Sequence, residues 1–177
     1  MSPSAPGLAA ADDPDGQLPL PMPAALDYAR TVMAWSREPL PSRVVATLDQ
    51  TYGPHRLQRY DVFAPAGAQQ APVLVFWHGG GWTNGYKEWM AFMAPALTAR
   101  GITMASLGYR LAPRHTWPAG FDDVADGIAA LVARVADHGG DPKRLFVCGH
   151  SAGGHLAALL ALRTDWQAAR GLPADVI

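Results

Sequence analysis

The sequence predicts a single α/β domain in which a mostly parallel sheet carries helices on both faces. Short runs of β-branched and aromatic residues alternate along the chain with longer segments whose apolar residues recur at helical spacing. Glycines end several of these segments, as at 79–81 and 139–140. Strands and helices that alternate in this way form right-handed βαβ units, which cover a parallel sheet on both sides.

Composition agrees with one domain and excludes several function classes. The chain has 177 residues, 49% hydrophobic, with a net charge of −1 and no basic block, which argues against a nucleic-acid partner. Its longest uncharged stretch, 62–86, is interrupted by prolines and glycines, so it predicts no membrane span. The single cysteine, Cys148, excludes an internal disulfide. Because the first basic residue is Arg30, no signal peptide is predicted, and we expect a cytoplasmic protein.

The N-terminal third predicts a leader, a helix and a hairpin. Residues 1–25 are rich in Pro and Ala without apolar periodicity, which indicates a disordered leader ahead of a domain over 26–177. A short helix over Leu26–Trp35 follows. The extended stretches Val44–Tyr52 and Arg56–Pro65 then predict a β-hairpin.

The remaining chain predicts three parallel strands separated by helices. The strands are Val73–Trp77, Ile102–Leu107 and Arg144–Cys148, the first and last of them buried runs, so Cys148 is expected in the core. Apolar residues at helical spacing predict three helices, marked by Trp89, Phe92, Met93, Ala96 and Leu97, by Phe121 to Val135, and by Leu156, Leu159 and Leu160. The last residues, Asp175–Ile177, could open a further strand, and the pattern stops there with strands at one sheet edge apparently missing.

Four side chains near these elements admit simple structural explanations. Asp122 and Asp123 open the long helix, where carboxylates stabilise the N-terminal dipole. Trp89 and Trp117 either belong to the core or line a substrate pocket.

The pentapeptide Gly149-His150-Ser151-Ala152-Gly153 follows a predicted strand and precedes a predicted helix. In a G-x-S-x-G sequence so placed, the serine sits on a tight, strained turn that raises its hydroxyl above the sheet. Small residues two before and two after it are needed because larger side chains would collide with the neighbouring strand and helix.

A second glycine motif, His78-Gly79-Gly80-Gly81-Trp82, follows the strand at 73–77. Consecutive glycines leave backbone N–H groups unshielded and free to converge on an anionic oxygen. The sequence therefore predicts an oxyanion hole at this loop, since an HGGG sequence upstream of a serine turn is rare by chance.

Together with Tyr109-Arg110-Leu111-Ala112-Pro113, these motifs resemble the α/β-hydrolase esterases over about residues 44–165. The similarity is to hormone-sensitive-lipase-like carboxylesterases and to the feruloyl-esterase-like and kynurenine-formamidase group. The resemblance implies that Ser151 is the nucleophile and that the N–H groups of Gly80, Gly81 and Ala152 form the oxyanion hole. His78, Gly79, Trp82, Gly149, His150 and Gly153 would shape these two motifs. Arg114-His115 departs from the acidic residue usual after the tyrosine motif.

The implied reaction is acyl transfer to Ser151 from a small ester or amide, without a cofactor. In this fold a carboxylate and then a histidine follow the serine. His155, Asp165 and Asp175 are the only candidates, and all lie too close to Ser151 for the family geometry, so the chain carries an incomplete triad. Two alternatives stay open: a non-catalytic remnant that acts as a binding module, and one half of a split enzyme. A homo-oligomer is also open, whereas the spacing of the histidines predicts no metal site.

Overall fold

The computed structural model describes residues 17–20 and 22–177, and a five-stranded sheet lies at its centre. The strands are β1 (Val44–Thr51), β2 (Arg59–Pro65), β3 (Ala71–Trp77), β4 (Thr103–Leu107) and β5 (Gly140–Gly149). Their order is β1-β2-β4-β3-β5. β2 is antiparallel to β1 and β4, whereas β3 is parallel to β4 and β5. Four strands therefore run in one direction, which confirms the hairpin and the mostly parallel sheet.

Helices cover both faces of this sheet, as predicted. They are α1 (Pro23–Ser36), α2 (Ala94–Thr98), α3 (Ala119–Arg134) and α4 (Ala152–Leu162). Neighbouring residues of a strand point to opposite faces. On β4, the Ser106 hydroxyl donates to the carbonyl of Lys87 at 2.6 Å, ahead of α2, whereas Leu107 packs against α3, within 2.6 Å of where a Cβ on Gly127 would lie. The chain before α2 and the helix α3 therefore lie on opposite sides.

The helix predicted around Trp89 to Leu97 is divided in two. A 3₁₀ helix, Lys87–Met93, leads into the short helix α2. Pro95 lies in the first turn of α2, where its missing N–H costs no helical hydrogen bond. In a single α-helix that began at residue 87, Pro95 would lie in the interior, where its missing N–H would remove one helical hydrogen bond.

The last strand, β5, lies at the edge of the sheet, and the prediction that it is buried was wrong. Among the described residues its strand neighbour is β3 alone. Phe146 is 56% exposed and Cys148 is only half-buried instead of in the core. An edge strand presents unpaired N–H and C=O groups, so this apolar edge is open to pairing with a further strand.

The two ends of the described chain also differ from expectation. α1 begins at Pro23, three residues earlier than predicted, with proline again in the first turn. Residues 17–20, assigned to the leader, contact the chain at Asn84 and Gly85 through hydrogen bonds. Residues 1–16 and 21 of that predicted leader lie outside the described residues. At the other end, Asp175–Ile177 form no strand, and Val176 packs into the core instead.

Asp123 has a different role from the one predicted. Its side chain is fully buried, although helix-dipole stabilisation alone would leave it at the surface. It accepts hydrogen bonds from the Arg110 guanidinium at 2.6 Å, from the Arg110 backbone N–H at 2.7 Å and from Gln58 at 2.8 Å. Asp122 is half-exposed and lies 3.8 Å from Arg170. Asp123 thus joins the start of α3 to the chain that follows β4.

Candidate active site

Ser151 occupies the strained turn that the sequence predicts between β5 and α4. Its φ of +50° and ψ of −115° lie in a region that L-residues rarely adopt. The turn is fixed to the end of β3 because the N–H of His150 donates to the carbonyl of Trp77 at 3.1 Å. Ser151 is exposed, so its hydroxyl is accessible from outside the sheet.

Gly149 and Gly153 permit the close approach that this turn requires. A Cβ on Gly149 would lie 2.3 Å from the backbone of Gly153, within α4. A Cβ on Gly153 would lie 2.2 Å from the carbonyl oxygen of Trp77. The expected collisions with helix and strand are therefore present at both positions.

The loop 78–82 lies beside Ser151. A Cβ on Gly79 would lie 3.1 Å from Cβ of Ser151. Gly80 has a φ of +117°, and a Cβ there would lie 2.1 Å from the carbonyl oxygen of Asn84. Gly81 and Trp82 also have positive φ, so three consecutive residues hold a backbone conformation rare in L-residues.

The N–H groups predicted to form the oxyanion hole are available. None of the three, on Gly80, Gly81 and Ala152, donates a hydrogen bond to another residue within 17–20 or 22–177. The loop's own turn instead uses the carbonyl of Gly80, which accepts from the N–H groups of Thr83 and Asn84. Backbone N–H groups without an acceptor near a serine are the donors that an oxyanion hole requires.

His78 orients this loop from within the core. Its Nδ1 donates to the carbonyl of Gly79 at 2.7 Å, and its ring stacks on Tyr109 with centroids 4.5 Å apart. The Tyr109 hydroxyl donates to the His78 carbonyl at 3.0 Å. Because C=O and N–H point in opposite directions across a trans peptide, fixing the Gly79 carbonyl turns the N–H of Gly80 away from His78.

Burial lowers the pKa of His78 from 6.5 to about 4. Between these values the unfolded chain binds a proton at this histidine and the folded chain does not. The contribution to stability is therefore complete above pH 6.5 and is lost as the pH falls towards 4. We expect the free energy of unfolding to decrease by about 2 to 3 kcal/mol over this range, because each unit of difference between the folded and unfolded pKa corresponds to about 1.4 kcal/mol.

Urea denaturation at a series of pH values measures this decrease. In a His78→Phe variant the ring can still stack but cannot titrate, so its stability should change less between pH 6.5 and 4. If the unfolding free energies of the two proteins decrease equally between pH 6.5 and 4, His78 is protonated in the folded state as readily as in the unfolded chain.

A cavity of about 430 Å³ opens in front of Ser151. The lining residues come from the glycine loop and the serine turn (Gly80, Gly81, Thr83, Asn84, His150 and Ser151) and from residues 20–28 together with Trp89 (Leu20, Met22, Ala24, Ala25, Tyr28 and Trp89). Trp89 is 2% exposed and touches this cavity as well, so it is both a core residue and a pocket residue. Sequence reasoning missed Tyr28, since one tyrosine on an amphipathic helix carries no distinguishing signal.

A second cavity, of about 410 Å³, lies beyond Trp82. Trp117 lines it and is 60% exposed, so this tryptophan is a pocket residue and not part of the core. His155, one helical turn after Ser151, also lines it and packs edge-on against Trp82 with centroids 5.4 Å apart. The His155 ring therefore contacts Trp82 and lines this second cavity, and it is not among the residues that line the cavity at Ser151.

The two aspartates after Ser151 are surface residues. Asp165 is exposed and forms an ion pair with Arg163, which lowers the pKa of its carboxyl group. Asp175 is exposed as well. The part of the chain that the structure describes contains no group of three or more His, Cys, Asp or Glu side chains arranged to hold a metal ion.

These features define the class of protein. A mostly parallel sheet, a strained serine turn between strand and helix, and a glycine loop after the neighbouring strand are the arrangement of an α/β-hydrolase. Comparison with known proteins agrees and gives the family: residues 60–171 match the model of the BD-FAE family. The chain belongs to this family.

Similar proteins are esterases and a formamidase. An isoprenylcysteine alpha-carbonyl methylesterase from Arabidopsis thaliana is 35% identical over 68% of this chain and 28% of its own length. A kynurenine formamidase from Salmo salar is 32% identical over 67% of this chain and 39% of its own length. The crystal structure of an esterase from Pyrobaculum calidifontis aligns with a TM-score of 0.66 at 29% identity, over 84% of this chain and 47% of the esterase. The chain thus spans less than half the length of these relatives.

Across residues 17–20 and 22–177, the structure contains no helix with the length and apolar character needed to span a membrane.

Proposed function

We propose that this protein is a serine hydrolase of the carboxylesterase type that acts on small carboxylic esters or aryl formamides, with Ser151 as the nucleophile. The observation that supports this most directly is the position of Ser151, on a strained turn beside the free N–H groups of Gly80, Gly81 and Ala152. The methylesterase and the formamidase among its relatives favour these two substrate classes.

In the proposed reaction, Oγ of Ser151 attacks the carbonyl carbon and its proton passes to a base. The three N–H groups stabilise the oxyanion that forms. The leaving alcohol or amine departs with a proton, and water then hydrolyses the acyl-enzyme to release the acid. No step requires a cofactor.

The base and its carboxylate are, in this proposal, supplied from outside these 177 residues. His155 packs on Trp82, and both Asp165 and Asp175 face solvent. Among the described residues, no hydrogen bond joins any of these three side chains to the Ser151 hydroxyl. The cytoplasmic location, the lack of a nucleic-acid partner and the oligomeric state stay predictions.

Labelling with a fluorescent fluorophosphonate tests the role of Ser151 in the 177-residue chain. Imidazole added to the buffer can take the place of an absent histidine base, so we expect the labelling rate to rise with imidazole concentration. Tandem mass spectrometry should place the label on Ser151. The Ser151→Ala variant should lose the label, whereas Ser42→Ala, at an exposed position outside both cavities, should keep it.

Equal labelling of the wild type and Ser151→Ala would contradict the nucleophile assignment. A wild type that imidazole does not activate would instead favour the remnant, which binds without catalysis.

A further inference from the structure

Part of the wall of the Ser151 cavity comes from α1. Ala24, Ala25 and Tyr28 of this helix line the cavity together with Ser151 and the glycine loop. The match to the BD-FAE family begins only at residue 60, so α1 lies outside it. The residues matched to the family therefore do not supply this part of the cavity wall.

Several contacts hold α1 in place over the site. The Tyr28 hydroxyl lies 3.3 Å from Nδ1 of His150, the residue before Ser151. The Tyr28 ring packs edge-on against Trp89, with centroids 5.9 Å apart. At the other end of α1, the N–H of Phe92 donates to the Ser36 hydroxyl at 3.0 Å. Contacts at both ends make α1 a fixed boundary of the cavity.

The mainly apolar residues that line this cavity restrict the groups that it can bind. Leu20, Met22, Ala24, Ala25 and Trp89 present mainly apolar atoms, and among residues 17–20 and 22–177 no Asp, Glu, Lys or Arg lines the cavity. An ionised group placed against these apolar residues, away from the N–H groups of Gly80, Gly81 and Ala152, would lose hydration without gaining a partner. The two alanines also leave space that a larger side chain would fill.

We propose that α1 selects the substrate by size and polarity, with Ala25 and Tyr28 as specificity-determining residues. The group that is bound is an uncharged, apolar chain next to the reacting carbonyl. This inference rests on the proposed function, because it takes Ser151 as the point where the carbonyl binds. To the proposed function this inference adds the class of substrate that the cavity accepts, and it assigns the selection of that substrate to α1.

Two alanines of α1 provide a matched pair of variants. Ala25 lines the cavity, whereas Ala34 is exposed on the same helix and lines neither this cavity nor the one beyond Trp82. Ala25→Leu and Ala34→Leu make the same chemical change, so effects on helix propensity are shared. We place both in a Ser151→Ala background, where an ester binds without reacting.

The probes are methyl hexanoate and pentyl acetate, isomers that carry the same pentyl chain on opposite sides of the ester group. Binding is followed by amide chemical-shift changes at Ala24 and Tyr28 in titrations of the 177-residue chain. We expect Ala25→Leu to weaken binding of the preferred isomer about tenfold, the usual cost of adding methylenes to a filled apolar site. Ala34→Leu should bind as the Ser151→Ala protein does. The isomer that binds more tightly shows whether the chain belongs to the acyl or the alcohol group.

Monomethyl adipate, an ester of the same length with a carboxylate at the far end of its chain, should not produce these shifts. Equal affinities for the Ala25→Leu and Ala34→Leu proteins, or no binding of either ester, would overturn the role of α1. The proposed function fails separately: if Ser151 is never labelled by the fluorophosphonate while Ala25→Leu still weakens ester binding, the cavity assignment stands and the nucleophile assignment does not.

Discussion

Replacing Gly153 with alanine is expected to destabilise the protein by about 3 kcal/mol, at the upper end of the usual cost of overpacking. The new Cβ would lie 2.2 Å from the carbonyl oxygen of Trp77 and 2.5 Å from that of His78. Both are backbone atoms at the end of β3, which is paired with β4 and β5 on its two sides, so they cannot move aside as a flexible side chain could. The strain should separate α4 from β3 and displace the turn that holds Ser151.

Urea denaturation of Gly153→Ala measures the loss of stability. Gly120→Ala is the matched control: Gly120 also lies in the first turn of a helix, but its Cβ would meet no atom closer than 3.6 Å. Alanine has the higher helix propensity, so the control should be unchanged or slightly more stable. A Gly153→Ala protein as stable as Gly120→Ala would show that α4 can shift away from β3 at little cost.

Replacing Asp123 with alanine is expected to cost about 3 to 5 kcal/mol, the range for breaking a buried ion pair by removing one partner. The carboxylate is fully buried and accepts hydrogen bonds from the Arg110 side chain, the Arg110 backbone and Gln58. Its removal leaves all three donors without their acceptor. The Arg110 charge would also lose the partner that raises the pKa of its guanidinium.

The neighbouring Asp122→Ala is a direct control. The side chain of Asp122 is 49% exposed and lies 3.8 Å from Arg170, a weak surface pair. Its loss should cost less than about 1 kcal/mol. Similar unfolding free energies for the two variants would mean that water replaces the Asp123 carboxylate at Arg110.

The site motifs could be predicted because their requirements are local. The collision at Gly149 and the positive φ of Gly80 and Gly81 follow from backbone geometry within a few residues of each motif, whereas the collision at Gly153 is with Trp77, at the end of the neighbouring strand. The same holds for the strained turn at Ser151. Such positions accept few residue types, so the residue types found there predict the local backbone conformation.

Residues that act through distant partners gave no such signal. Tyr28 meets His150 across 122 positions of the chain, and Gln58 meets Asp123 across 65. Cys148 was expected in the core since it ends a β-branched and aromatic run, but whether such a run is central or at an edge depends on which strands pair.

By itself, the sequence determined the α/β fold, the hairpin, the serine turn and the glycine loop, because periodicity and glycine geometry are properties of short segments. Only the tertiary structure decided that α1 forms a wall of the Ser151 cavity, that Asp123 is a buried partner of Arg110 and that β5 lies at the sheet edge. These depend on packing between segments far apart in the chain, where one aspartate or tyrosine has the same local pattern whether it is buried or exposed.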